Sequence, residues 1–139
     1  MATNERLRRY LSDELGSCQD EDLEQRISEL EEIDNSVSRV IETDVEGLSA
    51  VANETRYKIV RVLHAADSEL CVCEFAPLLD VSDSAISHAL SQLTDAGFLR
   101  RRKDGKWRKY QTTQRATALL VALDGSRDIN HDKIDISTC

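Results

Sequence analysis

The run Leu99–Thr112, LRRRKDGKWRKYQT, constrains the fold more than any other stretch of the chain. The Asp–Gly dipeptide at 104–105 interrupts it, and that pair is a strong signal for a two-residue hairpin turn of the primed type. With Asp104 and Gly105 as the central turn residues, the strands are Phe98–Lys103 and Lys106–Thr112. Lys103 then faces Lys106, Arg102 faces Trp107, Arg101 faces Arg108, Arg100 faces Lys109 and Leu99 faces Tyr110. Like charges directly opposite each other destabilise an antiparallel pair. Three opposed cationic pairs therefore imply a polyanion that neutralises them. Residues 98–110 hold seven Lys/Arg against one Asp, inside a chain whose net charge is −8.

The segment just before the ribbon reads as a helix. Ser82 is a good N-cap, Ile86, Leu90 and Leu93 recur at helical spacing, and Gly97 suits the left-handed residue that ends a helix. The opposite face carries Asp83, Ser84, Ser87, His88 and Ser91, which are short and polar. A helix of that kind followed at once by a basic ribbon is the outline of a winged helix-turn-helix, a DNA-binding module. Ser84, Ser87 and His88 are the candidates for major-groove contacts, with Ser82 as cap or phosphate contact. Arg100, Arg101, Arg102, Lys103, Lys106, Arg108 and Lys109 are the candidates for phosphate or minor-groove contacts. The expected partner is double-stranded operator DNA.

The acidity of the chain is uneven. Residues 1–49 carry 14 Asp/Glu and 5 Lys/Arg, whereas residues 50–139 carry 12 and 13. An acidic first part works against non-specific adhesion to nucleic acid, while the ribbon supplies a local positive field. With 5 Lys and 13 Arg, the composition suits a salt-rich cytoplasm and equally a merely solvated acidic helix. No apolar run is long enough to span a bilayer, and Met1–Asp13 lacks the apolar centre of a signal peptide. The expectation is a cytoplasmic protein without membrane contact, whose four cysteines are reduced thiols.

Periodicity predicts a mainly α chain with a small β-hairpin, in three parts: an acidic helical N-terminal extension over 1–44, the winged helix-turn-helix over 45–125, and a mobile tail over 126–139. Residues 4–16 form a short helix. Asp20–Thr43 forms a longer one whose stripe of Leu23, Ile27, Leu30, Ile33, Val37, Val40 and Ile41 is suited to clasping a partner subunit. Leu48–Ala66 is helical, with Asn53 as an internal cap. LCVCEFAPLL at 70–79 reads as a short apolar helix, limited by Pro77. Thr113–Leu123 is a helix stopped by Asp124–Gly125, too short and apolar to stand alone, and pairing it with its copy in a homodimer would cover it.

Three segments together resemble a known family: Leu48–Arg56 (LSAVANETR), Glu69–Glu74 (ELCVCE), and Val81–Leu99 with the Asp–Gly ribbon after it. They are similar to the ArsR/SmtB family of metal-responsive repressors over residues 45–123, and the ELCVCE box resembles the metalloid-binding box of the arsenic-sensing branch. The resemblance implies a homodimeric repressor that leaves its operator when trivalent arsenic or antimony binds Cys71 and Cys73, with no permanent cofactor. Two departures stand out. Position 76, where members of this branch can carry a third cysteine, is Ala here. Thr113–Leu123 also lacks the Asp and His ligands that zinc sensors carry on their last helix, His131 lying beyond it.

Soft thiolates select thiophilic ions over the harder carboxylates of Glu69 and Glu74. On an ideal helix, side chains two apart point some 200° from each other, so Cys71 and Cys73 could share an ion only if the start of residues 70–79 unwound. That conflict predicts a switch in which ligand and DNA demand different backbones. A third ligand would come from Cys18, Cys139, the other subunit, a cellular thiol or water. Two readings compete: the same repressor responding to another soft metal or to thiol oxidation, and a winged-helix protein-interaction module with core cysteines. No nucleophile–base pair or phosphate loop points to an enzyme.

Overall fold

A computed structural model describes the chain from Ala2 to Ser137, with side-chain surroundings from Asn4 to Arg127. It divides into two compact units, Met1–Asp44 and Val45–Cys139. In the first, helix α1 (Ala2–Leu15) ends at Gly16, and α2 (Asp20–Val51) begins with Asp20, Glu21 and Asp22 at the positive end of its dipole. Leu11 and Leu23 are buried, and Arg8 pairs with Asp20 at 2.9 Å. Beyond Leu23 the apolar stripe of α2 is uncovered in the single chain: Leu30, Ile33, Val37, Val40, Ile41, Val45 and Leu48 are all exposed.

α2 runs eight residues beyond the expected Thr43, to Val51. Asn53 then caps a separate helix α3 (Glu54–Ala66), accepting a hydrogen bond from the Arg56 N–H at 3.0 Å. The expected single helical region 48–66 is thus two helices meeting at that cap. Arg56 fastens the junction, donating to the Ser49 carbonyl at 3.1 Å and to Gln92 at 3.2 Å.

The order continues with strand β1 (Leu70–Cys71), a 3₁₀ turn (Val72–Glu74), helix α4 (Asp83–Asp95), strands β2 (Leu99–Asp104) and β3 (Trp107–Thr112), and helix α5 (Gln114–Ser137). The three strands form one antiparallel sheet in the order β1–β3–β2. The expected hairpin therefore has a third, two-residue strand on its β3 edge. The core holds Ile59, Val60 and Leu63 of α3, Phe75 and Leu79 of the loop, Ile86, Leu90 and Leu93 of α4, Leu99 and Tyr110 of the sheet, and Ala116 and Leu120 of α5. These apolar faces seat α4 and the hairpin side by side on one core.

Helix α5 continues to Ser137, past the expected stop at Asp124–Gly125. Asp124 is held from outside the helix: Arg61 of α3 grips both its oxygens at 2.7 and 3.2 Å and also donates to the Tyr57 hydroxyl at 2.7 Å. A tertiary partner of this kind overrides a weak local stop signal. The last helix consequently runs on through Asp124 and His131, which the expected span Thr113–Leu123 left outside it. The expected mobility of 126–139 falls mostly on residues outside the described side chains. Among the described residues, no helix is long and apolar enough to cross a membrane.

Candidate nucleic-acid interface and thiol site

Helix α4 separates its two faces cleanly. The Ser82 hydroxyl accepts from the Ala85 N–H at 3.1 Å, so its oxygen serves as the cap. At the other end, Gly97 adopts φ +84°; its N–H reaches the Thr94 carbonyl at 3.0 Å and the Phe98 N–H reaches the Leu93 carbonyl at 3.0 Å. That pair of bonds is the Schellman ending, and it aims the chain directly into β2. Ile86, Ala89, Leu90 and Leu93 are buried, while Ser82, Asp83, Ser84, Ser87, His88 and Ser91 are exposed. The exposed face offers mostly short polar groups, a surface able to approach base edges closely.

The ribbon has a different register from the expected one. Asp104 pairs with Trp107, Lys103 with Arg108, Arg102 with Lys109, Arg101 with Tyr110, Arg100 with Gln111 and Leu99 with Thr112. The turn residues are Gly105, at φ +63°, and Lys106. Asp104 stays in the strand because its carboxylate is used there, bridging Lys109 at 3.1 Å and approaching Arg102 at 3.9 Å. Glycine takes the first turn position at no steric cost. Every cross-strand pairing expected for the ribbon is therefore shifted by two residues.

That shift changes the charge argument. Two opposed cationic pairs remain, Arg102 with Lys109 and Lys103 with Arg108. The first is neutralised within the protein: Arg102 makes a bidentate bridge to Glu69 at 2.7 and 2.9 Å, and Lys109 holds Asp104. Arg102 pulls the Glu69 carboxyl below the usual carboxylate range, and Lys109 does the same to Asp104. Among the described residues, no carboxylate lies within 4 Å of Arg100, Arg101, Lys103, Lys106 or Arg108. Alternation along the strands sends Arg101, Lys103 and Arg108 to one face of the ribbon and Arg100, Arg102 and Lys109 to the other. Glu69 was not among the sequence candidates; an acid placed just before a strand that pairs with a basic ribbon is the signal that could have found it. Trp107 lies under the Lys106 ammonium, 5.1 Å from ring centroid to nitrogen.

The cysteines are not on an α-helix. Cys71 ends β1 with φ −77° and ψ 152°, and Cys73 sits in the 3₁₀ turn that follows. β1 pairs with β3, Leu70 opposite Tyr110 and Cys71 opposite Lys109, and this partnership holds residues 70–71 extended. The Cys71 N–H donates to the Glu74 carboxylate at 2.8 Å, which closes the turn. The Cys73 thiol donates to the Cys71 sulfur with the two sulfurs 3.2 Å apart. The expected conflict between a helical backbone and a shared ion is absent, because the pair already converges. Cys71 is buried and Cys73 exposed; the bond to Cys71, with lesser contributions from burial and the Glu74 charge, pushes the Cys73 thiol up.

Cys71 and Cys73 are among the residues that line a cleft of about 600 Å³ between the turn, α4 and the ribbon. Asp83, Ser87 and Ser91 of α4 and Arg101, Lys106 and Arg108 of the ribbon also line it. Residues expected to read DNA and residues expected to bind an ion thus border one space. Cys18 is half-buried in the other unit, and Cys139 lies outside the described residues. Among the described residues, no cluster of three His, Cys, Asp or Glu could hold a metal ion.

The model of the arsR family of bacterial regulatory proteins matches residues 53–101, from the α3 cap into the ribbon. The chain is 68% identical over 128 residues to a Halobacterium salinarum protein named as an arsenical resistance operon repressor, covering 91% of this chain and 99% of that one. A second Halobacterium salinarum protein, also named as an arsenical resistance operon repressor, is 44% identical over 98 residues, 70% of this chain and 82% of its own. The fold is matched by a homodimeric winged helix-turn-helix DNA-binding domain from Mycobacterium bovis, at TM-score 0.58 and 20% identity over 66% of this chain and 84% of that one.

Proposed function

The chain belongs to the ArsR family of bacterial regulatory proteins, winged-helix transcriptional regulators rather than enzymes, and on that premise we propose that it represses an arsenical-resistance operon and releases it when trivalent arsenic or antimony is captured by Cys71 and Cys73. The observation that carries this reading is the 3.2 Å approach of two thiol sulfurs beside the DNA-facing helix and ribbon. An ion holding each sulfur at about 2.3 Å would subtend roughly 90° between sulfurs 3.2 Å apart. That angle is narrower than tetrahedral and suits a pyramidal trivalent centre. The pair offers two soft sulfurs on a cleft lining that has no imidazole, which favours a thiophilic ion over zinc.

On the DNA side, Ser84, Ser87 and His88 would reach base edges in the major groove, with the Ser82 hydroxyl at its cap. Arg100, Arg101, Lys103, Lys106 and Arg108 would contact phosphate. Arg102 and Lys109 are paired at the surface with Glu69 and Asp104 of the same chain and would brace the ribbon. The protein works as a cytoplasmic homodimer without a resident cofactor. The uncovered stripe of α2, together with exposed Val121 and Leu123 on α5, is apolar surface that a second copy would bury.

Coupling between ion and DNA needs no unwinding. β1 carries Cys71 and hydrogen-bonds to β3 of the ribbon, and the 3₁₀ turn leads into Phe75 and Leu79 beneath α4. An ion on the two sulfurs would replace their thiol hydrogen bond within a segment tied to both DNA-contacting elements, and the antagonism is necessarily reciprocal. The test is fluorescence anisotropy of labelled promoter DNA from upstream of the protein's own gene. Arsenite should dissociate the wild-type complex and leave the Cys71→Ser and Cys73→Ser complexes intact; normal dissociation of either variant rejects the pair as sensor. A parallel peroxide titration addresses a second reading, oxidation of the pair, which the same close approach favours.

A further inference from the structure

The thiol pair supplies two ligands, and a trivalent metalloid takes three. The other residues that line the same cleft indicate where the third comes from. Position 76, which lines the same cleft, is an alanine and offers no donor. Glu74 is turned to the Cys71 amide. Among the described residues no third His, Cys, Asp or Glu completes a cluster with the pair. The cleft is roomy, about 600 Å³, within the ~300–1,000 Å³ typical of small-molecule sites. Its ribbon wall carries Arg101, Lys106 and Arg108, whose charges no described carboxylate within 4 Å neutralises. Asp83 is the one carboxylate along the lining.

We infer that the third ligand is a small-molecule thiol bearing carboxylates, its sulfur on the metalloid beside Cys71 and Cys73 and its carboxylates on Arg101, Lys106 and Arg108. The inference rests on the metalloid reading above and adds the identity of the co-ligand. The exchange balances without redox change. As(OH)₃ loses three hydroxides, Cys71, Cys73 and the small thiol each form one As–S bond, and each thiol proton leaves with a hydroxide as water. Arsenic stays trivalent throughout. Guanidinium forks bind carboxylates bidentately and strongly, so an anionic thiol is held where a neutral one is not. The same cations are those proposed to contact phosphate, so the bound anion also competes with DNA for the ribbon. Release would then come from occupancy of the cleft as well as from the ion on the thiol pair.

The chain's single tryptophan, Trp107, lies on the cleft lining and reports binding directly. Arsenite is titrated against Trp107 fluorescence at fixed ionic strength with equal concentrations of mercaptosuccinate or of uncharged 2-mercaptoethanol. The wild-type protein should reach half-saturation at about tenfold less arsenite with mercaptosuccinate. In Arg101→Ala/Arg108→Ala, both positions exposed, the two thiols should become equivalent; thermal melting verifies that the variant is folded. Equal half-saturation with both thiols in the wild type overturns the inference while leaving the sensing reading intact, and so does a preference that survives in the double variant. Absence of arsenite binding with either thiol overturns both.

Discussion

The charge partition of the ribbon makes a quantitative prediction about salt. Arg108 has no acidic partner within 4 Å among the described residues, whereas Arg102 is held bidentately by Glu69. Each phosphate contact contributes about −0.9 to the slope of log K against log salt. The proposed homodimer would carry the substitution twice, so Arg108→Ala should flatten that slope by about 1.8. The variant's deficit in affinity then shrinks by roughly 60-fold for each tenfold rise in salt. Arg102→Ala removes a charge already matched within the protein, and its slope should change by less than about 0.5. The assay is anisotropy of labelled operator DNA over a tenfold salt range for the three proteins. Equal flattening by both variants would mean that the Glu69 bridge opens on DNA and that the partition is wrong. No change in either would remove the ribbon from the phosphate backbone.

Other outcomes follow from single contacts. The Cys71 sulfur holds the Cys73 proton, so Cys71→Ala should lower the Cys73 pKa and speed its alkylation by iodoacetamide at neutral pH. Arg61 holds the Asp124 carboxyl below its usual range; the stability this provides is present above the ordinary carboxylate pKa and is lost as pH falls through the lowered one. The melting temperatures of wild type and Asp124→Asn should therefore differ at neutral pH and converge well below about pH 4. Leu90 is fully buried in the core, and Leu90→Ala should cost about 2–5 kcal/mol in urea unfolding. Gly105→Ala forces a side chain into a left-handed turn position and should destabilise the ribbon by about 1 kcal/mol, read as faster amide exchange across Asp104 and Trp107.

What was legible in the sequence was local. Asn53, Ser82 and Gly97 do their work within four residues of themselves, and each stands where its chemistry placed it. The Ile86, Leu90 and Leu93 stripe predicted both the axis and the buried face of α4. The misread features depend on distant partners. The apolar run at 70–79 has no periodicity that separates strand from helix, and the residues that make Leu70 and Cys71 extended are Tyr110 and Lys109 of β3. Asp104 resembles a turn residue until Lys109 and Arg102 claim its carboxylate and shift the register by two. Asp124–Gly125 resembles a helix stop until Arg61, 63 residues earlier, grips the aspartate. In the thiol site the residue types were legible, but the convergence of the sulfurs was not, because it follows from the same β1–β3 pairing.

The most direct test of the central claim is arsenic X-ray absorption on the protein loaded with arsenite. The account predicts a first shell in which sulfur replaces oxygen, and loss of that sulfur signal in Cys71→Ser and Cys73→Ser. An oxygen-only shell on the wild-type protein, or a sulfur shell unchanged in either variant, would contradict it.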